Sequence, residues 1–297
     1  MKNIHIYELP KEKTERSFQL YEVQGKKTED KKYLHEPSRP HRHTYYEICV
    51  FITGAGKHEI DFQSFPIKSY SIHFLSPGQV HMISREEHYH GYLLMFTREF
   101  YSSDFQKKDM LFELPFFNNN TSKPILELNS EEFHEFLEII DSVKREDGRD
   151  HELKNNIVRS YLHIFLLKCK AAFLEKRLST GTISDASFII VNQFKFLLEQ
   201  SFKDLHFVKE YAEVLSLTPV QLNKMTKTIT GINASDLIIN RVILEAKRLL
   251  TYTEFSNKEI AFQMNYEDPS YFSRLFRNKT GVTPSAFRKQ MRKKYQY

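Results

Sequence analysis

TPVQLNKMTKTITGINASDL (218–237) and DPSYFSRLFRNKTGVTPSAF (268–287) are two copies of one pattern, fifty positions apart. Each opens with a capping residue and a proline, Thr218-Pro219 and Asp268-Pro269. Each carries a basic residue at the same place, Lys224 and Arg274, and another three on, Lys227 and Arg277. Each closes on Thr-Gly, Thr230-Gly231 and Thr280-Gly281. The capping oxygen satisfies an early helical N–H, proline presets the first helical φ, and glycine supplies a left-handed stop. A short, basic, well-capped helix used twice in one chain implies two helices held against something periodic and anionic. Duplex DNA meets that requirement.

The residues just before each copy extend the pattern. VKEYAEVLSLTP (208–219) and NKEIAFQMNYEDP (257–269) both read as helix, turn, helix. Ala212 and Ala261 are small where the two helices must pack closely. The turn needs a residue that tolerates positive φ, which Asn265 suits and Ser216 suits less well. In a helix-turn-helix the second helix lies in the major groove and its N-terminal residues reach base edges. The outward positions are Val220, Asn223, Lys224 and Lys227 in the first unit and Ser270, Ser273, Arg274 and Arg277 in the second. Leu222, Met225, Phe272, Leu275 and Phe276 should face inward. Asn can read adenine, Arg can read guanine with two hydrogen bonds, and Val can touch a thymine methyl. The capping box Thr218–Gln221 and the backbone amides at the helix starts, with Lys227 and Arg277, can hold phosphates. A connecting helix over 234–251 would span ~27 Å and can set two recognition helices ~34 Å apart, one turn of DNA.

Charge agrees with this placement. From residue 204 onward there are 15 Lys/Arg and 9 Asp/Glu, whereas the rest of the chain holds 28 and 29. The net +5 therefore belongs to the C-terminal third, as in a phosphate-facing module joined to a neutral one. A helical core with incidental basic surface is the bland alternative, and two matched copies weigh against it.

The C-terminal part reads as seven helices, at 187–202, 206–215, 219–229, 234–251, 257–263, 269–279 and 284–292. Residues 18–97 instead alternate apolar and polar side chains in short runs such as YYEICVFIT (45–53), broken by Gly and Pro. These are strands of a β-sandwich or barrel. Between them SEEFHEFLEIIDSVKRE opens a helix at Ser130 with Phe133, Phe136, Leu137, Ile140 and Val143 on one face. A second helix over 153–177 carries Ile157, Tyr161, Ile164, Phe165 and Leu167 to Cys169 as a broad apolar surface. This hairpin can pack on the β-domain or against a second subunit, making a homodimer. RLSTGTISDAS (177–187) reads as the linker. No apolar run approaches a membrane span, and MKNIHIYELPKEKTERS lacks a signal core. A cytoplasmic protein is expected, with Cys49 and Cys169 as buried free thiols.

Residues 204–293 resemble the DNA-binding domain of the AraC family of bacterial transcription regulators. The segment EAKRLLTYTEFSNKEIAFQMNYEDPSYFSRLFRNKTGVTPSAFRK (245–289) is similar to that family's signature almost position for position. The first unit matches more loosely: Thr226 sits where Phe is usual, and Ser216 replaces a turn glycine. The resemblance places Val220, Asn223, Lys224, Ser270, Ser273 and Arg274 on base-reading positions. It also implies an activator that meets RNA polymerase.

His41-x-His43-x3-Glu47-x6-Gly54 and Pro77-Gly78-x2-His81 resemble the two cupin motifs, and residues 18–97 resemble the cupin-like sensor found ahead of AraC-type DNA-binding domains. The expected fold class is therefore α+β. A cupin-like barrel occupies 1–125, the helical hairpin and linker 126–180, and an all-α domain with two helix-turn-helix units 186–293. Two readings of the pocket compete. His41, His43, Glu47 and His81 can hold Zn, Mn, Fe or Ni. Alternatively they are scaffold and, with Tyr45, line the site of a small effector such as a sugar. In a regulator the second is preferred, so no resident cofactor and less than stoichiometric metal are expected. The rivals are a metal-dependent cupin enzyme, which leaves the repeated units unexplained, and a regulator controlled by protein partners, which a cavity-free barrel would favour.

Overall fold

The computed structural model describes residues 5–9, 18–24, 37–85, 89–102, 111, 114–117, 124–178 and 185–295. The chain forms two compact units, His5–Gly181 and Thr182–Tyr297. The class is α+β. The first unit contains β1 (His5–Tyr7), β2 (Phe18–Gln24), β3 (His41–His43), β4 (Tyr46–Thr53), β5 (Gly56–Ile60), β6 (Gln63–Pro66), β7 (Ser71–Leu75), β8 (His81–Arg85), β9 (His90–Phe96), α1 (Arg98–Ser102), β10 (Ile125–Glu127), α2 (Ser130–Asp147) and α3 (Lys154–Leu178). The second contains α4 (Asp185–Ser201), α5 (Val208–Val214), α6 (Pro219–Thr230), α7 (Ala234–Tyr252), α8 (Asn257–Gln263), α9 (Pro269–Thr280) and α10 (Pro284–Lys294). All seven helices expected there are present. The linker expected at 177–187 lies largely outside the described residues.

The strands make two five-stranded sheets, ordered β1-β3-β8-β5-β6 and β10-β7-β4-β9-β2. The sequence left a sandwich or a barrel open; among the described residues the strands lie in two sheets that do not join into a closed ring, within the α+β class expected. One-in, one-out alternation is the same in both architectures, so the pattern alone could not separate them.

The central strand β4 sets the layering. It is apolar at nearly every position because it is buried on both faces. Tyr46, Ile48 and Val50 enter one core with Phe133, Phe136, Ile140, Leu162 and Phe165 of α2 and α3. Tyr45, Cys49 and Phe51 enter the other, between the sheets, with Ile60, Phe65 and Ile83. Glu47 shares that second face by the strand's period of two. The helical pair thus packs within its own chain. Phe165 and Cys169 of its apolar surface are in the core, whereas Ile164 and Leu167 stay 44% and 40% exposed. α2 begins at Ser130, where the sequence placed it. Asn129 is its cap, accepting from Glu132 N–H at 2.8 Å while the Glu132 carboxylate accepts from Asn129 N–H at 2.9 Å. Cys49 and Cys169 are buried free thiols. No described helix is long and apolar enough to cross a membrane.

In the second unit α7 is the element on which the others pack. Leu237, Val242, Ala246 and Leu250 are fully buried along it. Arg241 is buried too, with its guanidinium 2.8 Å from Glu199, 3.2 Å from Glu245 and 3.7 Å from the centre of the Phe202 ring. Burial alone would raise the Glu245 carboxyl, but Arg248 and Arg241 hold it below its ordinary value. A buried charge needs this degree of pairing to be tolerated.

Candidate functional site

The first helix-turn-helix is α5–α6 and the second α8–α9. Ala212 and Ala261 are fully buried where the helices of each pair cross. Past α5 the chain turns through Ser216 at φ 56°, and past α8 through Asn265 at φ 53°. Leu217 N–H then donates to the Ala212 carbonyl at 2.8 Å, and Tyr266 N–H to the Ala261 carbonyl at 2.9 Å. The same backbone turn is built twice. Serine in the left-handed region is costly, and the Leu217–Ala212 hydrogen bond closes the turn around it. Two residues, Leu217 and Thr218, then lead to Pro219, whereas three, Tyr266 to Asp268, lead to Pro269.

That extra residue changes the cap. Thr218 Oγ1 accepts from Gln221 N–H at 3.2 Å, and Gln221 Oε1 accepts from Thr218 N–H at 2.9 Å. Asp268 Oδ1 instead accepts from Ser270 N–H at 2.7 Å. The far ends agree again. Gly231 and Gly281 have φ of 77° and 79°. The Thr230 hydroxyl lies 2.8 Å from the Thr226 carbonyl, and the Thr280 hydroxyl 2.8 Å from that of Phe276.

Of the residues expected to face DNA, Thr218, Val220, Gln221, Lys224, Lys227, Ser270, Arg274 and Arg277 are exposed. Val220 is 77% exposed, so this large apolar side chain has no core role. Asn223 and Ser273 are half-buried. Asn223 Oδ1 accepts from Ala234 N–H at 3.0 Å, at the start of α7. A two-bond contact to adenine needs that oxygen, so in this conformation Asn223 ties the recognition helix to α7 instead. The Ser273 hydroxyl donates to the Pro269 carbonyl at 2.8 Å within its own helix. Arg274 sits 3.7 Å from Asp268 in a solvent-exposed pair, which is weak enough to be exchanged for a DNA contact.

The other site lies between the sheets. His41 and His81 are register partners on β3 and β8. His43, Glu47 and Tyr45 join them, all buried. One nitrogen from each of His41, His43 and His81 falls within 4.8 Å of the others. His81 Nε2 is 3.2 Å from His43 Nε2, and His43 Nε2 is 3.7 Å from Glu47 Oε2. Tyr45 stacks on His43 at 4.5 Å. Burial, and then the Glu47 charge, raise the Tyr45 hydroxyl, which stays protonated. The five residues expected to line one cavity are therefore together. Two the sequence reasoning missed join them. His58 on β5 is 3.0 Å from His81 Nδ1, and His73 on β7 is 3.0 Å from His58. Their signal was available: His58 alternates with Ile60, and His73 with Leu75, on inward phases of their strands.

Two family models match the chain in this order. One, described as an AraC-like ligand binding domain, matches residues 31–155, and one described as a helix-turn-helix domain matches 211–290. The chain belongs to the AraC family. Among its relatives, the HTH-type transcriptional activator RhaS of Salmonella arizonae is 23% identical over 252 residues, which is 84% of this chain and 86% of RhaS. RhaS of Salmonella typhimurium matches to the same extent, 23% over 252 residues. Among solved structures, the C-terminal domain of the response regulator YesN from Fusobacterium nucleatum is 34% identical. The match covers 35% of this chain and 99% of that one, with a TM-score of 0.31. ToxT from Vibrio cholerae is 18% identical over 92% of this chain and 98% of its own, with a TM-score of 0.40.

This AraC-family chain is thus a ligand-responsive, DNA-binding transcriptional regulator. Its first unit departs from the family pattern inside the core. Thr226 is fully buried and bonds back to the Leu222 carbonyl at 2.6 Å. At the equivalent place Phe276 meets Phe287 edge-on at 5.6 Å.

Proposed function

We propose that this chain is a transcriptional activator switched by a small polar organic molecule, such as a sugar, and not an enzyme. The observation that carries it is the matched pair of recognition helices, each with an exposed basic residue at its centre, Lys224 and Arg274. RhaS, a relative across most of its length, is named an activator, which supports that sign of regulation. Activation brings RNA polymerase as a partner, and the site of action is the cytoplasm. The effector site is the buried His41, His43, Tyr45, Glu47 and His81 group, where aromatic faces and a few polar atoms suit a hydroxylated ligand. Exposed Ile164 and Leu167 on α3 offer a homodimer contact, and sedimentation as a monomer at high concentration would remove that part.

Selection of bound sequences from random DNA tests the core of the proposal. The expected site is non-palindromic for each chain and spans two successive major grooves. No enrichment over random sequence would sink it. Mapping bound sites across the genome then identifies the regulated genes, and their products point to the effector.

A further inference from the structure

An aromatic stack joins the first helix-turn-helix to the second, separately from the connecting helix α7. His206 lies between α4 and α5, and its backbone is fixed to the first unit. Its N–H and that of Phe207 donate to the Glu210 carboxylate at 2.9 and 2.8 Å. The buried Tyr211 donates its hydroxyl proton to the Leu205 carbonyl at 2.9 Å. The His206 ring stacks on Tyr266, with centres 4.3 Å apart and planes 17° from parallel. Tyr266 follows the left-handed Asn265 in the turn of the second unit. There it packs against the buried Phe272 at 5.3 Å and stacks on Tyr271, in the first turn of α9, at 6.1 Å. Burial, opposed by the Glu210 charge, holds the His206 imidazole below its ordinary value. Near neutral pH it therefore meets Tyr266 as an uncharged aromatic ring.

The far end of α9 is tied as well. The Lys279 ammonium pairs with Asp236 in the first turn of α7, beside the Ala234 N–H that Asn223 of α6 holds. The second recognition helix is thus held at both ends by residues that belong with the first unit. The first turn carries no equivalent ring, because Leu217 stands where the second has Tyr266. A connecting helix fixes the distance between two modules, and contacts away from its axis are needed to fix their rotation about it. We propose that His206 and Tyr266 are positioning residues for DNA reading. Their stack sets the angle of α9 against the first unit, and so the spacing that the chain accepts between the two groups of base pairs it reads. Neither residue belongs to a recognition helix. Two helices already held in one orientation lose less freedom when both enter the duplex, and that advantage exists only at the matching spacing. The inference rests on the reading that both recognition helices enter one continuous site.

The test uses the full chain and the sequence it selects from random DNA. Protection footprinting locates the two groups of base pairs. Duplexes are then made with their spacing changed by one or two base pairs, and with one group scrambled. Two added base pairs turn one group by about 70° around the duplex axis. Wild type should bind the native spacing best. His206→Ala should bind it about 2–10-fold more weakly, the range for a lost aromatic pair, and should bind the half-scrambled duplex as wild type does. Its penalty for altered spacing should shrink by the same factor. His206→Phe keeps the stacking face and should restore both the affinity and the spacing preference. Circular dichroism and thermal unfolding check that each variant is folded. An equal loss on every duplex, the half-scrambled one included, would make His206 a merely structural residue and overturn the proposal. Wild-type behaviour of His206→Ala would do the same, as would failure of His206→Phe to restore the preference. A wild type that protects only one group of base pairs sinks the two-groove reading itself, which footprinting shows before any variant is made.

Discussion

The two helix-turn-helix units share a backbone and differ in what fills it. Burial along α6 and α9 runs in step through nearly every position, and both turns take the left-handed conformation at the same place. Yet the second unit uses Phe276 and Asn265 where the first uses Thr226 and Ser216. The first unit spends a polar side chain in its core and a strained residue in its turn, and Asn223 anchors its recognition helix to α7. A fold can be repeated closely while the stability and the base-reading chemistry of the copies diverge.

The core difference gives the largest expected effect. Phe276→Ala should destabilise the chain by about 3–5 kcal/mol, and Thr226→Ala by about 1 kcal/mol, in denaturant unfolding followed by circular dichroism. Equal losses would erase the contrast. Next comes DNA reading. Arg274→Ala should weaken a selected site by about 1–3 kcal/mol, and Lys224→Ala by less, because lysine lacks the planar fork that grips guanine. Competition gel shifts measure this, and an equal loss on random DNA would reduce Arg274 to a phosphate contact. The helix stops should then behave alike. A Cβ added at Gly231 or Gly281 would meet no atom within 4 Å, so only the left-handed φ is penalised. Each Gly→Ala should cost about 1–2 kcal/mol, and a gap between them would reveal unequal ends. Smallest is the turn: Ser216→Gly should stabilise by about 0.5–1 kcal/mol, and Asn265→Gly by less, since asparagine tolerates positive φ better. A larger gain at Asn265 would reverse the ranking.

Legibility in the sequence followed the range of the interactions. The caps at Thr218 and Asp268 are contacts between neighbours in the chain, and each is where the pattern placed it. The left-handed Ser216 was harder, because its own chemistry argues against the conformation that the Leu217–Ala212 bond imposes. The role of Asn223 was not legible at all, since its partner Ala234 belongs to the next helix. In the sensor unit the motif histidines announced themselves by spacing. His58 and His73 did not, because they join the group only when β5 and β7, in different sheets, face each other.

The amino-acid sequence by itself therefore determined the repeated DNA-reading units, their basic faces and their boundaries, because capping, proline and glycine act over a few residues. Only the tertiary structure decided that the strands lie in two sheets, that the helical pair packs on one of them, and that five imidazoles share one interior. Those outcomes depend on which strand faces meet across the core, and that is a property of packing, which a one-in, one-out pattern does not encode.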